Sequence, residues 1–316
     1  MHIPDGFLDT KTIVATGMLS AAGIALALRR TKVELPPSRL PLMGVGAAFI
    51  FAAQMINFPV IGGTSGHLIG AVLAAVLMGP SPAILVMSSV LIVQCFLFAD
   101  GGLLALGANI LNMAVLAPLI GSVVYTGVCA VYPGRRGILA GAGFAAWFST
   151  VIASVVCGGE LAVSGTVPWN TGIPAMADIH MLIGIGEAII TMLIVAAILA
   201  MRPDLIERQE TEPAPHTMGT VVSYGLIVAL ILAMFVSPFA STWPDGLERV
   251  AAALGFEQKA ALSTALSSPL ADYHFPGLSS PLAATAVAGL LGTIVSLLLA
   301  VVLARVISPA RGSQNK

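Results

Sequence analysis

Long apolar runs separated by short polar turns occupy most of the chain. A helix needs about 20 apolar residues to cross the hydrocarbon layer of a membrane, and nine runs reach or approach that length. The run 68–78 is short, whereas the run 103–131 is long and predicted to break at Pro118. The pattern predicts an all-α integral membrane protein with spans at 12–28, 42–58, 68–78, 83–98, 103–131, 138–157, 179–201, 218–236 and 282–307.

The composition supports a membrane protein and excludes a nucleic-acid-binding one. Of the 316 residues, 57% are hydrophobic and 9% are charged, whereas soluble domains carry about 25% charged residues. The mean hydropathy is +0.97. With 14 Lys and Arg against 15 Asp and Glu, the chain lacks the basic surface that nucleic acids require. We therefore expect a lipid bilayer, and no nucleic acid, as a partner.

The distribution of basic residues predicts the orientation of the chain. Loops on the cytoplasmic side of membrane proteins are enriched in Lys and Arg. If the N-terminus is outside and all nine segments cross, eleven basic residues lie inside and only Lys11, Arg249 and Lys259 lie outside. This bias disappears if the run 68–78 is not counted as a pass. We therefore expect that run to cross, with the N-terminus outside and the C-terminus in the cytoplasm.

One charged, proline-bearing stretch divides the chain. Residues 202–217 form the only long stretch of the sequence that is both charged and proline-bearing. They are expected to form a cytoplasmic linker. The stretch separates a seven-span unit, residues 1–201, from a two-span hairpin, residues 218–316, with an outer loop at 237–280. No internal repeat is evident, which disfavours a secondary transporter built from inverted repeats.

Histidine at the second position is the most informative chemical feature. No basic segment precedes the first apolar run, so the chain is expected to keep Met1 rather than lose a signal peptide. The Met1 amine, the His2 amide nitrogen and the His2 imidazole can then close fused five- and six-membered chelate rings in one plane. Planar nitrogen ligands favour Ni(II) or Cu(II), and also accept Co(II). Any chain can carry histidine at this position, so this feature alone does not establish a metal site.

A second histidine lies on the same predicted outer side. His67 ends a glycine-rich turn, residues 62–67, at the start of the third span. Irregular backbone at membrane depth is tolerated where it is buried in protein or lines a cavity. One interpretation is that His67 joins Met1 and His2 around one ion; the other is that it caps the following helix.

Polar side chains within the spans are few, and buried ones are expected to have a function. His180 and Glu187 are seven residues apart, which places them two turns apart on one helix face. Together with Asn109 they are candidates to support and orient the metal ligands. A hydrogen bond between helices explains such residues equally well.

Three small residues follow one another along the first span. Gly17, Ala21 and Ala25 are spaced by four residues, and this spacing lets another helix approach closely. The face they form serves either internal packing or docking to a partner membrane subunit.

Motifs for ATP hydrolysis and for metalloprotease or serine-hydrolase chemistry are absent from the sequence. We therefore expect a non-enzymatic protein, in which any ATP-driven role depends on separate subunits. A secondary transporter driven by an ion gradient, a membrane metalloenzyme using His2, His67 and His180, and a receptor that binds metal without moving it remain alternatives.

Several stretches resemble the nickel/cobalt substrate-binding subunit of energy-coupling factor transporters, which are ABC-type importers. These stretches are residues 1–8 (MHIPDGFL), 65–71 (SGHLIGA) and 98–109 (FADGGLLALGAN). Residues 244–248 (PDGLE) resemble the signature of the small accessory subunit of the same systems. The chain therefore resembles a fusion of both subunits.

The resemblance implies a seven-helix bundle that captures the ion outside the plasma membrane of a bacterium or archaeon. It implies a transmembrane coupling subunit and cytoplasmic ATP-binding subunits as partners, and no cofactor besides the transported ion. The implied ligands are the Met1 amine, the His2 amide and imidazole, and the His67 imidazole. Ala21 and Ala25 match the face that meets the coupling subunit in related proteins. The segment around His67 resembles the nickel branch more than the cobalt branch, so we expect Ni(II), with Co(II) as the alternative.

Overall fold

A computed structural model describes residues 1–206, 218–260 and 268–307. Two short strands, β1 (Phe58–Val60) and β2 (Thr64–Gly66), pair antiparallel. The remaining regular structure of these ranges is helical. The principal helices are α1 (Thr10–Glu34), α2 (Pro41–Gln54), α3 (Ala71–Met78), α4 (Pro80–Phe98), α5 (Leu106–Val131), α6 (Arg135–Val163), α7 (Trp169–Met201), α8 (Met218–Phe239), α9 (Gly246–Leu254) and α10 (Pro281–Ile307).

Seven helices in the described ranges are long and apolar enough to span a membrane: α1, α4, α5, α6, α7, α8 and α10. The other two predicted spans are shorter than expected. Helix α2 has 14 residues, about 21 Å, and α3 has eight, about 12 Å. Both are short because residues 55–70 between them leave the helical conformation to form the strand pair and its flanking turns. The expected all-α membrane fold is confirmed, with these shorter bounds.

Helix α3 nevertheless extends to the end of the bundle opposite the strand pair. Leu73 packs in one buried cluster with Val195 and Leu199, near the C-terminal end of α7. Residues 67–70, which form neither helix nor strand, cover the first part of this distance. Gly70, in a left-handed conformation with φ 78°, begins the helix, and this backbone conformation favours glycine.

The expected break at Pro118 is wrong. Helix α5 is continuous, and residues Ile110–Leu116 form a π-helical segment that ends two residues before the proline. Proline lacks an N–H group and clashes with the carbonyl of the preceding turn. A π segment widens that turn and so accommodates the proline without interrupting the helix.

The two C-terminal membrane helices pack on α2 rather than standing apart. Ala229 and Ala233 of α8 share a buried cluster with Ala48 and Ala52 of α2. On α10, a Cβ atom at Gly292 would lie 2.0 Å from the Phe51 ring, so the absence of a side chain permits this close approach. This packing brings residues 243 and 244, which follow α8, over the strand pair. The expected linker is described only to residue 206, and residues 207–217, 261–267 and 308–316 lie outside the described ranges.

Candidate metal centre

The N-terminal segment lies inside the helical bundle. Met1 is 5% exposed and Ile3 is fully buried. Asn109 fixes the segment from both sides, because its Oδ1 accepts a hydrogen bond from the Ile3 N–H at 2.8 Å and its Nδ2 donates to the Ile3 carbonyl at 3.1 Å. The Gly102 N–H also donates to the Ile3 carbonyl, at 2.9 Å. The polar residue expected to support the ligands thus holds the backbone directly after His2.

Asp5 anchors the other end of this segment. Its carboxylate accepts hydrogen bonds from the backbone N–H groups of Leu103, Leu104 and Ala105, at 3.1, 2.8 and 3.2 Å. A Cβ atom at Gly102 would lie 2.1 Å from Asp5 Oδ1, so glycine is required where the two segments meet. Charge-assisted hydrogen bonds of this kind are stronger than neutral ones. The N-terminus is therefore held in a fixed position.

The Met1 amine forms a buried ion pair with Asp245. The amine nitrogen lies 2.6 Å from Asp245 Oδ2. Asp245 is also the N-cap of α9, where its Oδ1 accepts from the Glu248 N–H at 2.8 Å while the Glu248 carboxylate accepts from the Asp245 N–H at 2.9 Å. Burial lowers the pKa of the amine, but the Asp245 carboxylate outweighs burial and leaves the pKa raised. The amine is therefore an ammonium group in this arrangement.

A second carboxylate holds the His2 imidazole. His2 Nδ1 lies 3.1 Å from Asp100 Oδ1, and His2 Nε2 lies 3.3 Å from Gln94 Oε1. The Tyr273 hydroxyl donates to Asp100 Oδ2 at 2.5 Å, which fixes the carboxylate. Burial lowers the pKa of His2, so its imidazole is neutral at physiological pH.

The strand pair places His67 against His2. The two imidazole rings stack with centroids 5.4 Å apart and an interplanar angle of 24°. His67 Nδ1 lies 3.3 Å from the Leu68 carbonyl, and a carbonyl only accepts, so Nδ1 carries the proton and Nε2 carries the lone pair. Burial, followed by the charge of the Met1 amine, lowers the pKa of His67. The ring is therefore neutral and able to bind metal through Nε2.

Glu187 fixes the backbone that follows His67. Its two carboxylate oxygens accept from the N–H groups of Ile69 at 2.6 Å and Gly70 at 2.9 Å. His180, two turns earlier on the same helix, lines a small cavity together with Met1, His67 and Asp245. The two α7 residues singled out in the sequence thus lie beside the His67 segment.

The described residues of the loop between α8 and α10, 240–260 and 268–280, include several that cover this centre. The carbonyl oxygens of Trp243 and Pro244 accept from the Ser65 hydroxyl at 2.7 Å and the Ser65 N–H at 2.8 Å. Farther along the chain, the Leu270 N–H donates to the Leu97 carbonyl at 2.9 Å. Asp245 and Tyr273 also belong to this loop. Asp245 contacts the Met1 amine, and Tyr273 contacts Asp100 and Gln94, the two side chains that hold His2. We call residues 241–246 of this loop the covering segment.

The small-residue face of α1 is divided between two environments. A Cβ atom at Gly107 of α5 would lie 2.6 Å from the Gly17 Cα, so Gly17 serves packing between α1 and α5. Ala21 and Ala25 are exposed on the surface of the bundle. Only these two remain available to a partner.

The structure brings Met1, His2 and His67 together, as the sequence predicts, and shows which other groups hold them. Asp100 and Asp245 lie in the stretches that carry the family resemblance, but the sequence did not indicate that they contact His2 and Met1. No sequence pattern indicated a role for Tyr273. No group of three or more His, Cys, Asp or Glu side chains in the described ranges is arranged to hold a metal ion. A site at this position would therefore need backbone or terminal nitrogen atoms in addition to side chains.

In the described part of the chain, seven helices are long and apolar enough to span a membrane, and the bundle buries its own N-terminus beside two histidines. These features define a multi-pass membrane protein with a candidate metal centre. Residues 2–205 match the family described as the cobalt uptake substrate-specific transmembrane region. Residues 219–309 match the PDGLE domain. The chain belongs to this cobalt-uptake family and carries a fused PDGLE domain, as the sequence resemblance predicted.

Relatives with the same fused arrangement exist in archaea and bacteria. A putative fused nickel transport protein of Archaeoglobus fulgidus is 36% identical over 280 residues, which cover 88% of this chain and 90% of that protein. A fused nickel transport protein of Rhodobacter capsulatus is 34% identical, covering 68% of this chain and 67% of that protein. The crystal structure of a truncated transition metal transporter is 32% identical, with a TM-score of 0.58 over 63% of this chain and 99% of that one.

Proposed function

We propose that this chain captures Ni(II) at the outer face of the cell membrane, as the substrate-binding component of an ATP-driven importer. The observation that carries the proposal is the burial of the Met1 amine beside two stacked, neutral imidazoles, those of His2 and His67. Four nitrogen ligands are available there: the amine, the His2 amide, His2 Nδ1 and His67 Nε2. Nitrogen atoms in one plane suit Ni(II), whereas Zn(II) prefers a tetrahedral site and Mg(II) or Ca(II) prefers oxygen.

Metal binding requires two nitrogens to exchange their partners. The chelate ring through the His2 amide closes at Nδ1, which lies beside Asp100, and the amine is paired with Asp245. Both must turn toward the ion, and the amine must lose its proton to expose a lone pair. The neutral His2 ring keeps its one proton, which must be on Nε2, facing Gln94 Oε1, when Nδ1 binds the ion. The ion replaces one amine proton and one amide proton. Two positive charges enter and two leave, so the two carboxylates balance the same net charge before and after binding.

Nickel and cobalt use the same ligands, so the choice between them rests on the relatives. The relatives from Archaeoglobus fulgidus and Rhodobacter capsulatus, which have the same fused arrangement, are named as nickel transport proteins, which favours Ni(II). The family description names cobalt, and Co(II) is the alternative. No resident cofactor is part of the proposal.

The proposed arrangement in the cell follows from the basic residues and the exposed surface. The N-terminus lies outside and the C-terminus lies in the cytoplasm of a bacterial or archaeal cell. Residues 1–201 form the metal-binding unit, 202–217 the cytoplasmic linker and 218–316 the accessory unit. A transmembrane coupling subunit docks on the exposed Ala21 and Ala25 of α1, and cytoplasmic ATP-binding subunits supply the energy.

Nickel uptake by whole cells tests this function. Cells that carry the chain with a coupling subunit and ATP-binding subunits are expected to accumulate nickel. Cells whose ATP-binding subunits lack the phosphate-binding lysine are expected not to accumulate it, because ATP is not hydrolysed. Accumulation by the chain alone, collapsing when the ion gradient is removed, would instead identify a secondary transporter. Binding with no accumulation in either case would identify a receptor, and turnover of a substrate would identify a metalloenzyme.

A further inference from the structure

His180 presents a nitrogen lone pair that the proposed four-nitrogen site does not use. Its Nδ1 lies 2.8 Å from the Met176 carbonyl one turn earlier. Since a carbonyl only accepts, Nδ1 carries the proton and Nε2 carries the lone pair. His180 is 2% exposed. A buried imidazole with this tautomer is prepared to bind a metal ion.

His67 and His180 share this arrangement and the same cavity. In each, Nδ1 faces a backbone carbonyl, that of Leu68 or Met176. Metal-binding histidines in proteins usually donate their other ring nitrogen in this way, which fixes the tautomer and the ring orientation. Both residues line the small cavity that Met1 and Asp245 also line.

The covering segment lies on the Nε2 side of His180. A Cβ atom at Gly246 would lie 2.9 Å from His180 Nε2 and 2.7 Å from Cε1, so only glycine lets the segment approach this edge of the ring. Asp245, the preceding residue, pairs with the Met1 amine. Because the two are consecutive, any displacement of the segment that frees the amine also uncovers His180.

We propose that His180 Nε2 is a transient ligand for the incoming ion. The ion reaches His180 when residues 245 and 246 move aside, and it passes from there to Met1, His2 and His67. This inference rests on the proposed function, because it assumes that the four nitrogens form the final site. No covalent step is involved: one metal–nitrogen bond forms and is exchanged for others. A transient ligand lowers the barrier to binding without contributing to the final complex.

Stopped-flow mixing of Ni(II) chloride with the purified full chain tests this role. In His180→Phe, the association and dissociation rate constants are both expected to fall at least about tenfold. The equilibrium dissociation constant and the visible spectrum of the nickel complex should stay unchanged. The substitution leaves no backbone group unpaired, because the Met176 carbonyl retains its helical hydrogen bond. His180→Gln provides a polar second variant, and His274→Phe, at an exposed position, is the matched control.

Equal rate constants in the wild-type chain and in His180→Phe would overturn the proposal. So would a change in the spectrum of the final complex, which would make His180 a permanent ligand. His67→Phe separates this result from a failure of the proposed function. If the wild-type chain and His67→Phe bind nickel equally well, the four-nitrogen site itself is wrong. If only His67→Phe loses affinity and His180→Phe behaves like the wild-type chain, the four-nitrogen site is supported and the transient role of His180 is rejected.

Discussion

Replacement of His2 by phenylalanine is expected to lower the affinity for Ni(II) by at least about a hundredfold. Structural Zn(II) sites with four ligands in zinc-finger peptides contribute about 10–16 kcal/mol of binding free energy. On that scale one ligand accounts for about 3 kcal/mol, and about 1.4 kcal/mol corresponds to a tenfold change. Phenylalanine keeps a planar ring that can stack on His67 but lacks Nδ1, so the chelate ring through the His2 amide cannot close. Titration of the purified chain with Ni(II) and Co(II) separately measures the loss and the metal preference.

The matched control for this substitution is His274→Phe, which removes an imidazole from an exposed position of the outer loop. It should bind nickel as the wild-type chain does. The chain must carry its native N-terminus, because a preceding tag would convert the Met1 amine into an amide. Unchanged affinity in His2→Phe would eliminate His2 as a ligand, even though the family assignment would stand.

The affinity for Ni(II) is expected to rise by up to about a hundredfold for each pH unit between about pH 6 and pH 8. Asp245 raises the pKa of the Met1 amine despite its burial, so the amine is protonated in this range and must lose that proton to bind. The His2 amide loses a second proton. Burial lowers the pKa of both His2 and His67, so the imidazoles are already neutral and release none. Each released proton gives a tenfold change in affinity per pH unit.

Proton release into a weakly buffered solution measures this stoichiometry directly, with two protons expected for each nickel ion bound. A chain whose Met1 retains its formyl group is the control, because its terminal nitrogen is blocked. An affinity that does not change with pH would contradict binding through the amine. Release of a single proton would show that the His2 amide keeps its proton and does not bind the ion.

The membrane fold was largely predictable because hydrophobicity along the chain indicates which segments cross a bilayer. The structure differs from the predicted spans where the backbone departs from a regular α-helix. The expected span 42–58 ends early because Phe58–Val60 pairs with Thr64–Gly66, and the apolar residues of that strand look like a continued helix in the sequence. At Pro118 the π-helical segment keeps α5 intact, and no sequence pattern distinguishes this outcome from a break.

The site was only partly predictable, because its supporting groups come from distant parts of the chain. Met1, His2 and His67 stood out through the chemistry of their nitrogen atoms and through the family resemblance. The Met1–Asp245 pair joins residues 244 positions apart, and the Tyr273–Asp100 hydrogen bond joins residues 173 apart. Such contacts follow from the packing of α8 and α10 on α2. Local sequence patterns carry no information about them.

The coordination geometry of nickel bound to the purified full chain shows directly whether these four nitrogens are the ligands. X-ray absorption at the nickel edge, together with magnetic susceptibility, measures the number and type of ligands and the spin state. Binding by the Met1 amine, the His2 amide, His2 Nδ1 and His67 Nε2 predicts four nitrogen ligands in a plane and diamagnetic Ni(II). Six-coordinate, paramagnetic Ni(II) with oxygen ligands would exclude binding by these four nitrogens.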